Sequence, residues 1–239
     1  MARRGKRYIQ AVEQVDLEKS YSPQVALELT KKTSYTNFDG TVELHLNMNL
    51  DPRRADQQIR GVVRLPHGLG KTVRVLVFAA AEAEAAAREA GADFIINDDE
   101  GIKKISDGWT EFDVAIAVPE MMPKVGRLGR VLGRRGLMPN PKTGTVVAAE
   151  DLKRAVSEAK AGRVEYRLDR TGNIHCALGK VSFPVEQLVE NLAAIMETIR
   201  RVKPPAAKGI YVKRVTVAAT MGPGIKVDTA QALALESSL

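Results

Sequence analysis

Between Gly126 and Thr145 the sequence reads GRLGRVLGRRGLMPNPKTGT, which holds Arg127, Arg130, Arg134, Arg135 and Lys142 and no acid. Cations at that density repel one another unless an anion lies near. Gly126, Gly129, Gly133, Gly136 and Gly144 interrupt the run, and glycine admits positive φ and close backbone approach. Pro139 and Pro141 stiffen its exit. Two arrangements fit. One is a loop that faces phosphate. The other is a short basic helix over Lys124 to Leu132 with a turn-rich exit, its charges solvated.

Other residues offer weaker chemistry. In Thr220 to Gly224, TMGPG, two glycines bare the backbone, a hydroxyl stands first and Met221 is a flexible apolar contact. That suits ribose hydroxyls and sugar edges in a shallow groove, and equally a plain turn between strands. Asp169-Arg170-Thr171-Gly172 is a turn whose Arg170 can meet phosphate. Phe38, beside Asp39-Gly40, reads from the residues alone as a core phenylalanine. Arg53, Arg54 and Lys71 read as solvated charges.

Enzyme chemistry finds little support. His45, His67 and His175 are scattered, with no His-x-x-x-His pair. Cys176 follows His175 directly, and neighbours in a strand point to opposite faces. Gly68-Leu69-Gly70-Lys71 lacks full Walker spacing and precedes its strand, and no GxGxxG follows Val73 to Phe78. The single cysteine excludes an internal disulfide and a multi-Cys metal cluster, and fits a reducing cytoplasm. No metal, cofactor or catalytic residue is expected. A nucleotide-dependent enzyme would need a glycine-rich turn after Phe78. A DNA-binding regulator would need a helix-turn-helix, and none is evident.

The run LGRVLGRRGLMPNPKTGTV resembles the signature of the bacterial ribosomal L-one family, proteins of the mobile stalk on the large subunit. NFDGTVELHLNMNLDPRRADQQIRGVVRLPHGLGK, AGADF, KAGRVEYRLDRTGNIH and TMGPG agree, so the resemblance runs from Phe38 to Gly224. It implies a non-enzymatic protein that binds large-subunit rRNA, takes part in releasing deacylated tRNA from the exit site, and represses its own operon by binding its mRNA. It implies an RNA surface at Phe38, Thr41, Thr220, Met221 and Gly222. Asn37 joins them where some relatives carry lysine. From the residues themselves, Asp169, Arg170 and Thr171 are expected as a further, weaker contact. Arg53, Arg54, Lys71, Arg127, Arg130, Arg134, Arg135 and Lys142 are expected as secondary phosphate contacts.

Composition agrees with an RNA partner. Net charge is +7 over 239 residues, and only 5% are aromatic. Few rings to stack bases favours structured RNA read through shape and backbone. Arg3, Arg4, Lys6 and Arg7 precede no apolar segment, so no secretory signal is expected, and no apolar run is long enough to span a membrane. The protein is expected to be a cytoplasmic monomer outside the ribosome.

These residues need elements to hold them. Ser22-Pro23 starts a helix that ends near Lys32, with serine at the N-cap. Thr41 to Leu50 alternates strictly and predicts a half-buried strand. Gly61 to Leu65 predicts another. Val73 to Phe78, Phe94 to Ile96 and Val114 to Val118 predict buried strands between helices at Ala81 to Ala90 and Gly101 to Asp107, followed by a helix at Glu150 to Lys160. Val164 to Leu168 and Asn173 to Leu178 flank the Asp169 turn like a hairpin. Pro184 starts a helix to about Arg201. Ile210 to Ala218 and Ile225 to Val227 flank TMGPG, and a loose tail follows from Asp228. Residues 1–66 are too few to bury a core alone. The prediction is therefore two domains: a split α+β RNA-binding domain, 1–66 with 161–239, and an inserted three-layer Rossmann-like α/β domain, 67–160.

Overall fold

The computed structural model describes residues 5–207 and 209–236; the expected opening charges Arg3 and Arg4 lie outside them. In chain order the helices are α1 (Lys6–Val12), α2 (Pro23–Lys32), α3 (Ala81–Glu89), α4 (Asp99–Ser106), α5 (Met122–Val125), α6 (Gly129–Leu132), α7 (Leu152–Lys160), α8 (Val185–Arg201) and α9 (Thr229–Leu233). The strands are β1 (Thr41–Met48), β2 (Arg60–Arg64), β3 (Val75–Phe78), β4 (Phe94–Ile96), β5 (Val114–Ala117), β6 (Arg163–Arg167), β7 (Asn173–Lys180), β8 (Val212–Ala219) and β9 (Ile225–Val227). The chain divides into two compact units, Met1–Gly70 with Val164–Leu239, and Lys71–Arg163. The fold is mixed α+β and α/β, as the residue patterns predict.

The split unit is built on an antiparallel sheet in the order β7-β1-β8-β9. Alternation in β1 explains its place. Val42, Leu44, Leu46 and Met48 are buried, whereas Glu43, His45 and Asn47 lie on the open face. The buried face receives α2 and α8, whose Ala26, Leu27, Leu188, Leu192, Ile195 and Ile199 share its core. Strand β1 ends at Met48 rather than Leu50, after a register shift between Asn47 and Met48 in its pairing with β8, and the Asn49 N–H donates to the Tyr211 carbonyl at 2.9 Å just before β8.

Strands β2 and β6 form a separate pair. Tyr166 of β6 lies so close to β2 that a Cβ on Gly61 would sit 2.5 Å from its hydroxyl. The hairpin expected around Asp169 is thus not a paired hairpin. Strand β6 goes to β2 and β7 to β1, and the two meet only at an isolated Leu168–Ile174 bridge. Buried Asn191 holds the chain just before Gly70. It accepts from the His67 N–H and donates to the carbonyls of Gly68 and Leu178.

The expected loose tail is partly helical. The Asp228 carboxylate caps α9 by accepting from the Gln231 N–H, and Ala232 is fully buried against the split unit's core. Residues 237–239 of that expected tail lie outside the described residues. Helix α1 was not expected either, since its seven residues carry no cap or period strong enough to read. Ser22 does stand at the N-cap of α2, but its hydroxyl makes no capping bond.

The second unit is a three-layer sandwich about a parallel sheet in the order β4-β3-β5. Val75 and Val77 pack toward α3 and α7, and Leu76 and Phe78 toward α4, α5 and α6. Strands buried on both faces read as unbroken apolar runs, which β3 does. Helix α4 begins at Asp99, earlier than the expected Gly101, because Asp98 is the cap and accepts from the Gly101 N–H at 2.9 Å.

Candidate nucleic-acid interface

Of the sequence-predicted residues, the structure brings six to one end of the four-stranded sheet. Thr41 opens β1, and Thr220, Met221 and Gly222 follow β8. The two turns are cross-braced. The Thr41 N–H donates to Thr220 Oγ1 at 2.9 Å, and the Thr220 N–H donates to the Thr41 carbonyl at 2.9 Å. The Gly222 N–H closes the turn on the Ala219 carbonyl. Asn37 and Phe38 sit in the loop before β1, where Thr36 Oγ1 donates to the Phe38 carbonyl at 2.9 Å. Asp39 ties this loop across by accepting from the Ser182 N–H and hydroxyl.

Two apolar side chains stand out of this braced end. Phe38 is 61% exposed and Met221 is 71% exposed. Met221 has φ 64°, the only positive φ at a non-glycine residue among the described residues. The left-handed region costs an L-residue about 1–2 kcal/mol. Tyr35 supports it by donating its hydroxyl to the Met221 carbonyl at 2.7 Å. Phe38 is therefore no core residue, contrary to what its type alone suggests. The site also includes Tyr35 and Lys180, which sequence reading missed. Lys180 Nζ donates to Thr41 Oγ1 at 3.1 Å. No local signal links either to the turn; strand register brings Lys180 opposite Thr41, and the loop before β1 brings Tyr35 to Met221.

Asp169, Arg170 and Thr171 are not in this cluster. They lie beyond the far end of β1, where Asn47 pairs with Asn173. Six residues of strand, about 20 Å, separate the two ends. Asp169 organises its turn by accepting from the Thr171 N–H and hydroxyl and from the Asn173 N–H. Desolvation pushes its carboxyl upward, but bonds from Asn173, Thr171 and His175 outweigh it and hold the group at about 2. Arg170 is exposed and has no acidic partner among the described residues.

Between the ends, on the open face, His45 and His175 are not scattered. They face each other across β1 and β7 with their Nδ1 atoms 2.8 Å apart. Burial, and then the neighbouring His175, pull His45 below its ordinary value against the opposing effect of Glu43. Cys176 points the other way, and burial pushes its thiol up to about 12, so it carries no thiolate at neutral pH. Among the described residues no group of three or more His, Cys, Asp or Glu residues could hold a metal, and no helix is long and apolar enough to cross a membrane.

The basic glycine run belongs to the second unit, and its first half is helical. Gly126, Gly129 and Gly133 have φ of −55°, −54° and −64°, so of the two expected arrangements it is the short basic helix, not the open loop, that forms over Lys124 to Leu132. Val125, Leu128 and Leu132 recur at helical spacing and are buried, which turns Arg127, Arg130 and Arg134 outward. Gly133 is required because a Cβ there would lie 2.4 Å from the Gly129 carbonyl oxygen. Only Gly136 and Gly144 take positive φ. Lys142 is exposed, and Arg135 donates to Thr110 Oγ1. Two expected phosphate contacts are already engaged: Arg54 with Asp56 at 3.0 Å, and Lys71 with Asp113 at 2.5 Å. Arg53 is exposed.

A profile of the ribosomal protein L1p/L10e family matches residues 30–223. The chain belongs to that family. Relatives named large ribosomal subunit protein uL1 agree over almost the whole length. One from Dehalococcoides mccartyi is 57% identical over 228 residues, 95% of this chain and 96% of its own. One from Chloroflexus aurantiacus is 55% identical over 237 residues, 99% of this chain and 100% of its own. The family match takes in Phe38, the Asp169 turn, the basic run and Met221, but ends at Pro223, before α9.

Proposed function

We propose that this family member is a non-enzymatic protein of the large ribosomal subunit, cytoplasmic and monomeric when free, that grips structured rRNA of the mobile stalk. The primary contacts are Asn37, Phe38, Thr41, Thr220, Met221 and Gly222. Asp169, Arg170 and Thr171 make a second contact at the far end of the sheet. Met221 carries the reading. A strained, exposed, cross-braced apolar side chain is costly to the free protein and useful for packing on ribose and base edges. Arg53, Arg127, Arg130, Arg134, Arg135 and Lys142 add phosphate contacts that strengthen binding without reading sequence. Arg54 and Lys71 would have to leave their carboxylate partners to do so.

Two further roles belong to the same reading. The protein takes part in releasing deacylated tRNA from the exit site, and it represses its own operon because the leader mRNA presents a site like the one in rRNA. Filter binding tests this directly. Structured stalk rRNA is expected to bind, duplex DNA to bind weakly and ATP not at all. Stalk rRNA is also expected to displace leader mRNA from a shared site. Simultaneous binding of both RNAs would remove the basis for repression by mimicry.

A further inference from the structure

The two outer edges of the parallel sheet are treated differently. Beside β5 the chain supplies its own cover: the Ala117 N–H donates to the Thr145 carbonyl at 2.9 Å, and the Val147 N–H donates to the Ala117 carbonyl at 3.1 Å. Beside β4 no strand or bridge lies among the described residues. An edge strand carries a row of backbone groups ready to pair. Along this open edge runs a cleft of about 790 Å³.

The cleft has an aromatic floor and an acidic rim. Phe94 and Trp109 meet edge to face, with centroids 5.1 Å apart, and both are partly exposed. Trp109 is the one tryptophan of the chain. Asp98, Glu100 and Asp107 line the rim and have no cationic partner among the described residues. Lys104 is the one cation in the lining. On a protein of net charge +7, an acidic rim around an apolar floor selects against RNA. It favours a cationic partner.

We propose that β4 accepts an extended, lysine- or arginine-rich segment of another protein as an added strand, with one apolar side chain on Phe94 and Trp109 and flanking cations on the acidic rim. Main-chain pairing supplies affinity in such additions and alternate side chains supply choice. The surface lies outside the RNA contacts proposed above and does not depend on them.

The test uses the full-length protein and its single tryptophan. A ten-residue peptide of alternating valine and lysine, added up to millimolar concentration, is expected to give a saturable change in Trp109 emission. The valine–glutamate counterpart is expected to give none. The valine–lysine peptide N-methylated at alternate residues, which cannot pair with an edge, is expected to give none. Asp98→Asn, Glu100→Gln and Asp107→Asn together are expected to weaken the first peptide about tenfold, the effect of three modest surface pairs. Absence of a saturable change overturns the proposal. Equal binding by the methylated peptide overturns strand addition, and equal binding by the acidic peptide or to the triple variant overturns the charge argument. A change on adding a short RNA but not the peptide would make the cleft a nucleic-acid surface instead.

Discussion

TMGPG beside β8 and the basic run through α5 and α6 are both glycine-rich, exposed and suited to RNA, yet they are built in opposite ways. The first exposes apolar Met221 at the same sheet end as Phe38, holds it in a left-handed conformation and braces it through Thr220 and Tyr35. The second buries the apolar stripe of Val125, Leu128 and Leu132 and turns its arginines outward. A strained, rigid end can discriminate by shape, because its contacts are directional and short. A row of arginines on a helix attracts any phosphate chain. The difference separates a surface suited to specificity from one suited to affinity.

The sharpest way to break that contrast is Met221→Asp, with Gly222→Val as a second variant. A charge or bulk at the braced end is expected to weaken stalk rRNA binding about thirtyfold or more, the scale of an interface hot spot. Circular dichroism and Tm should show an intact fold. Normal binding by both variants would reduce the turn to a connection between strands.

Excision comes next. Replacing residues 71–162 with a short Gly/Ser linker keeps both ends of the antiparallel sheet and removes the arginine row. We expect cooperative unfolding, retained preference for the stalk RNA and a several-fold loss on long rRNA. The isolated parallel-sheet unit should fold and bind RNA weakly without preference. If instead that unit alone held the preference, the roles of the two regions would be reversed.

A milder change acts on charge alone. Arg127→Gln, Arg130→Gln and Arg134→Gln together should leave the ranking of RNAs unchanged. Each phosphate that is no longer neutralised should make the log–log salt dependence shallower by about 0.7 to 0.9. An unchanged slope would mean that these arginines face water.

The smallest expected effect is at Asp169. Its carboxyl is depressed from 3.8 to about 2, so the turn's stabilisation is complete above the ordinary value and is lost as pH falls through the depressed one. Asp169→Asn should therefore show a small Tm deficit at neutral pH that closes as pH approaches the depressed value. A deficit that is constant with pH would assign the loss to hydrogen-bond geometry rather than charge.

Much of the scaffold was legible because it depends on local pattern. Alternation marked β1, unbroken apolar runs marked β3 and β5, and Pro184 marked the start of α8. What was not legible depends on partners distant in sequence. Tyr35 reaches Met221 across 186 positions, and Lys180 reaches Thr41 across 139. The strands flanking Asp169 look like a hairpin until β1 and β2 compete for them. Phe38 reads as core because residue type reports average burial, whereas its exposure is set by the turn beside it. The basic run reads equally as an open loop or a short helix from its glycines and charges, and burial of Val125, Leu128 and Leu132 decides for the helix.

The left-handed backbone at Met221 also sets stability against recognition at a single position. Glycine adopts that conformation without steric penalty, so Met221→Gly should keep or raise Tm while removing the side chain proposed to meet RNA. Selection for heat resistance alone would drift toward glycine there and yield a sturdier protein without the proposed RNA contact. Persistence of methionine would then depend on continuous demand from the ribosome, and a chain freed of that duty should lose it early.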